Sequence, residues 1–186
     1  MPNIQVISYE ASEGRLREIY DELIQSRGKL ADVHMIQSLR PESIVKHMDL
    51  YLEIMFSKSL LSRSKREMIA TVVSAANQCE YCQIHHGEAL NKYWKDEQKI
   101  IGLREDYRQL KLSDQEMKLC DYAHKLTLQP ELANQSNLTE PLKKSGLEDA
   151  AILDATLIIA YFNFVNRIVL AHQLHIEEDA GAGYKY

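Results

Sequence analysis

Apolar side chains recur every three or four positions along most of this chain, and no stretch alternates in the manner of a half-buried strand. Over 11–26 the repeat is Leu16, Ile19, Tyr20, Leu23 and Ile24, with Gly28 placed to stop the helix. Positions 2–10 read as extended and 30–38 as one or two short helical turns. Pro41 suits the first turn of the next helix, whose broad apolar side carries Ile44, Met48, Tyr51, Leu52, Met55 and Phe56. The pattern resumes over 64–77 with Met68, Ile69, Val72 and Val73. There Ser64 and Glu67 have capping-box spacing. It continues over 79–93. The charged stretch 95–110 is expected to break at Gly102. Ser113 and Glu116 open a helix that Pro130 follows, and a short helix starts near Pro141 and stops at Gly146.

The last helix, about 148–176, is apolar on every side between Ala155 and Phe162. Asp154, Asn163, Asn166 and Arg167 interrupt it, which argues against a membrane span. Such a helix is buried on every side, so a partner subunit is expected to cover part of it, with Ile159 as a contact. Asn163, Asn166 and Arg167 read as hydrogen-bonding groups at helix ends inside the core, and 181–186 as a frayed tail. The expected fold is an all-α, single-domain helical bundle over 1–186, oligomeric, with a core region of about 42–94 around its cysteines.

Composition narrows the class. Of the 186 residues, 45% are apolar and 26% charged, which suits a packed domain. The net charge of −5 with no basic patch excludes nucleic acid as an expected partner. The first twenty positions lack the basic and apolar regions of a signal peptide, so the expected location is cytoplasmic.

In a reducing compartment, a Cys-x-x-Cys pair is catalytic or metal-binding more often than structural. Here Cys79 and Cys82 are followed by His86, and helical spacing puts all three on one face. A thiol reacts as its thiolate, and imidazole is the side chain suited to moving that proton near neutral pH. Zinc is the competing reading, but the histidines follow at once and no distant ligand pair exists. Two small buried residues without chemistry make a third reading. Spacing and compartment favour the redox dithiol. Cys120 fits no motif and reads as a buried structural thiol.

The run from Arg66 to Ala70, then Val73 to His86, resembles the alkylhydroperoxidase D and carboxymuconolactone decarboxylase family, in particular its peroxidase-related branch. The likeness extends to Leu39-Arg40-Pro41-Glu42 and to the stretch 161–167. The resemblance implies a peroxide-attacking Cys82, a resolving Cys79, and a proton relay of His86 and Glu67. It implies no metal, flavin or haem. Its partners are a hydroperoxide and an external dithiol of the lipoyl or thioredoxin type, with no membrane, and its assembly is a trimer or a hexamer built on one. This chain departs from the pattern at Tyr81, where the best-known members carry His. His85 falls outside the relay and is expected to be a half-exposed neighbour. A lactone decarboxylase, which works without thiols, and a non-catalytic redox sensor are the alternatives.

Overall fold

The computed structural model describes residues 2–177, and its regular elements are all helical. In chain order they are α1 (Gly14–Arg27), α2 (Asp32–Met35), α3 (Pro41–Phe56), α4 (Arg63–Ala76), α5 (Glu80–Trp94), α6 (Glu97–Asp106), α7 (Asp114–Leu128), α8 (Glu140–Lys144) and α9 (Asp149–Ala171). Two short 3-10 turns, Tyr107–Gln109 and Pro130–Asn134, join the later helices.

α4 is the axis of the molecule: it packs against α5, α7 and α9, and every residue over 66–74 is buried. The main core gathers Met68, Ile69, Val73, Leu119, Ile158 and Phe162. A smaller core joins α1 to α3 through Leu16, Ile19, Tyr20, Ile44 and Met48. Tyr51 packs against both. The corner between α3 and α4 is fixed by Arg66, whose guanidinium donates to the carbonyls of Ile54, Ser57 and Leu61. Those carbonyls have no helical partner, so one buried cation satisfies the exit from α3.

Several boundaries depart from the sequence pattern. Gly28 does stop α1, in the left-handed region at φ 85°. The cap of α4, however, is Ser62, which accepts from Lys65 N, so Ser64 and Glu67 form no capping box. α6 runs straight through Gly102. A Cβ there would come within 2.7 Å of Leu110 Cδ2, so the glycine serves a close approach and breaks no helix. α9 ends at Ala171, five residues before the expected 176, because Gln173 turns left-handed at φ 54° and the chain folds back over 174–177. The expected frayed tail, 181–186, lies outside the described residues.

α9 is long and apolar enough to cross a membrane by length and composition, yet half of that stretch is buried in the protein. It is not buried all round: Leu153, Leu157, Phe164 and Leu170 are exposed. Ile159, expected at a subunit contact, is 1% exposed and belongs to the core of its own chain.

Candidate active site

The turn from α4 into α5 sets the thiols. Gln78 adopts φ 56°, which swings the chain round so that Cys79 becomes the N-cap of α5 and Cys82 lies in its first turn. Asn163 and Asn166 of α9 accept from the Asn77 side chain at 3.1 and 2.9 Å, and Asn166 also donates to Ser74 Oγ. The turn is therefore tied to α9 by side-chain amides, the role their spacing predicted.

Cys79 and Cys82 are both buried and unbonded to each other, with their thiols in hydrogen-bond contact. The Cys82 thiol and backbone N–H donate to Cys79 and hold its pKa below the usual thiol value. The bond to Cys79, burial and the Cys79 charge push Cys82 up. The pair thus loses its first proton more easily than its second. Burial also pushes Cys120 up, outside the usual thiol range, as suits a structural residue.

Glu67 and His86 meet directly: Glu67 Oε2 lies 2.7 Å from His86 Nδ1. Glu67 has no exposed surface, and its Oε1 accepts from Arg63 Nε at 2.8 Å. Burial drives the carboxyl upward, but His86 and Arg63 outweigh it and hold Glu67 below its ordinary value. An ionised carboxylate only accepts, so His86 Nδ1 carries the hydrogen that faces Glu67 and Nε2 is turned away from it. Arg63 itself lies over the Phe56 ring at 3.5 Å.

A cavity of about 70 Å³ opens beside Cys82. Cys82, His85 and His86 of α5 line it, together with Tyr161 and Phe162 of α9. Of the four residues singled out from sequence, Cys82 and His86 are on its wall. Glu67 supports His86 from the interior, and Cys79 reaches the cavity only through Cys82. The expected half-exposed His85 is instead 8% exposed; its Nε2 donates to Glu177 Oε2 at 2.8 Å and its ring packs on Tyr81. Glu177 Oε1 accepts from Tyr81 Oη at 2.7 Å and from Asp32 N at 3.2 Å. Burial raises the Glu177 carboxyl, but its bonds from His85 and Tyr81 outweigh this and bring it down to about 2.

Sequence reasoning missed four members of this site. Arg63 stands four residues before Glu67, an ion-pair spacing on a helix, and that signal was available. Glu177, His34 of α2 and His47 of α3 reach the site from distant elements, and nothing local marks them. His34 and His47 also line the cavity. Among the described residues, no group of three or more His, Cys, Asp or Glu is placed to hold a metal.

A thiol pair at the head of the second of two packed helices, with a carboxylate and an imidazole between them, defines a class. Residues 43–124, from α3 through most of α7, match the model of the carboxymuconolactone decarboxylase family. Over its whole length the chain has the alkylhydroperoxidase D-like fold. It overlays an alkylhydroperoxidase D core, an uncharacterised peroxidase-related protein from Ralstonia eutropha JMP134, with TM-score 0.86 and 23% identity, over 97% of this chain and 94% of that one. A peroxidase-related protein from Silicibacter sp. TM1040 gives TM-score 0.82 and 24% identity, over 99% and 98%. The debrominase Bmp8 gives TM-score 0.79 and 19% identity, over 97% and 96%. No curated protein sequence matches.

Proposed function

We propose that this chain is a thiol-dependent peroxidase that reduces small hydroperoxides with the Cys79–Cys82 dithiol. The observation that carries the reading is the Cys82 thiol on the wall of a cavity, backed by a second thiol and by an imidazole held on a buried carboxylate. Burial disfavours the Cys82 thiolate, so a proton acceptor is required. Cys79 accepts that proton across the shared hydrogen bond, and His86, oriented by Glu67, relays it.

Cys82 thiolate then attacks the terminal oxygen of ROOH. The O–O bond breaks, an S–O bond forms, and RO⁻ takes the relayed proton to leave as ROH. Cys79 thiolate displaces hydroxide from the Cys82 sulfenic acid, which takes a proton to leave as water and closes the disulfide. An external dithiol reduces it by exchange, ending as a disulfide itself. The exchange calls for a dithiol donor, of the lipoyl or thioredoxin-like type.

Steady-state turnover of tert-butyl hydroperoxide with dithiothreitol tests the reading. Continued turnover that requires Cys82 is the expected result. A single stoichiometric oxidation replaces the enzyme with a redox sensor. Decarboxylation of a lactone that survives loss of both thiols replaces it with the family's other chemistry.

A further inference from the structure

We propose that His34 and His47 form a hydroxyl-binding subsite in the Cys82 cavity, and that the substrate is an uncharged, short-chain hydroperoxide carrying a hydroxyl on its carbon skeleton. The inference rests on that cavity being the peroxide site. His34 is 6% exposed and lines the cavity, yet among the described residues its Nδ1 is buried with no hydrogen-bond partner. Buried side-chain nitrogens are nearly always paired, and this one belongs to a ring that lines the cavity, so its missing partner is assigned to what enters the cavity.

The neighbouring ring has a fixed tautomer. Gln37 Nε2 donates to Val33 O at 2.9 Å, which settles the orientation of that amide, and it also lies 2.9 Å from His47 Nδ1. His47 Nδ1 therefore accepts, its proton is on Nε2, and the second nitrogen is a donor. The two rings meet edge to face at 5.7 Å. Burial pushes His34 down to about 3 and His47 down to about 4, so both rings are neutral at any ordinary pH.

Three features set the ligand class. A hydroxyl is the smallest group that both donates and accepts, so it satisfies His34 Nδ1 in either tautomer and accepts from His47. Among the described residues the charged groups around the cavity are of both signs, with Arg27 on the wall, Glu177 behind Tyr81 and His85, and the Arg63–Glu67 pair behind His86, so no single sign draws in an ion. The volume of about 70 Å³ is roughly half the ~150 Å³ that holds a benzene ring, so the part of the skeleton held inside is a few carbons long.

The experiment compares 2-hydroxyethyl hydroperoxide with ethyl hydroperoxide. Each kcat/KM is divided by the rate of that peroxide with free dithiothreitol. Wild type should favour the hydroxylated peroxide about tenfold or more, because the shorter one leaves His34 unpaired. His34→Phe, which keeps the ring volume, should bring the normalised ratio close to one. Ethylene glycol is then titrated into wild-type protein labelled with ¹⁵N-histidine, a readout that needs neither turnover nor the variant. The His34 Nδ1 resonance should move saturably. If glycol moves it while neither peroxide is consumed, the subsite stands and the peroxidase reading falls. If both peroxides turn over with equal normalised rates and glycol leaves the resonance in place, the subsite is overturned and the peroxidase reading survives.

Discussion

Glu67 has no exposed surface and two partners, so its replacement is felt twice. Glu67→Gln removes the acceptor that fixes the His86 tautomer, and kcat/KM for a hydroperoxide should fall about 10²-fold or more. It also takes the Glu67 charge away from the Arg63 guanidinium, at a cost on the order of 3 kcal/mol. Because the folded pKa of Glu67 is lowered, its stabilisation is complete above the unfolded value near ~4.3 and is lost as pH falls through the folded one. The gap in urea midpoint between wild type and variant should therefore be wide at pH 7 and narrow in strong acid. Normal turnover in Glu67→Gln sinks the relay. The thiols divide by access: Cys82 lines the cavity and Cys79 does not. With a sulfenic-acid probe after peroxide, Cys79→Ser should label at Cys82, whereas Cys82→Ser should not label at all. Labelling of Cys79 in Cys82→Ser reverses the assignment. The spacing of Glu67, Cys79, Cys82 and His86 was readable because successive turns of two adjacent helices bring them together. His34, His47 and Glu177 were not, since each stands alone in its own segment and only tertiary packing aims it at the cavity.

At the scale of elements, the stretch 172–177 acts as a strap. It leaves α9 through the left-handed Gln173, is pinned by Leu174 N to Val169 O at 3.1 Å, and ends with Glu177 bridging α2 and α5. The Glu177 carboxyl stands at about 2 in the folded protein, against ~4.3 when unfolded. Its stabilisation is thus full above pH ~4.3 and disappears as pH falls toward 2. With a discount for its partial exposure, Glu177→Gln should cost about 2 kcal/mol at pH 7 and little near pH 2, by chemical denaturation. The same change removes the carboxylate that Tyr81 and His85 share, so iodoacetamide should modify Cys82 faster; an unchanged rate means the strap does not guard the cavity. Periodicity revealed the helices, because burying one stripe is what makes each of them stable. It missed the strap and lengthened α9, because apolar residues at 174 and 176 continue the stripe while the backbone has already turned. It likewise took Gly102 for a break, where the glycine answers to Leu110, a neighbour that no local pattern names.

Across the whole molecule, α9 carries an exposed apolar stripe among the described residues. Leu153, Leu157 and Phe164 are 58%, 42% and 49% exposed. At ~100° per residue they fall within a narrow sector of the helix. We propose that a second copy of the chain covers it. Leu157→Glu should then lower the mass found by light scattering while leaving the helical signal intact. A charge at Ile159 should instead unfold the subunit, since that side chain is internal. A wild-type monomer removes the claim. The order of elements also bears on how the protein is made. Both thiols are synthesised by the end of α5, whereas their covers arrive last: Tyr161 and Phe162 with α9, and Glu177 at its far side. A nascent chain therefore carries a bare dithiol from the moment α5 leaves the ribosome until α9 docks on α4. During that interval oxidants too large for the finished cavity can reach Cys79 and Cys82. On the proposed redox reading, the pace of elongation through the second half of the message should set, together with the folded cavity, what fraction of molecules begins life oxidised.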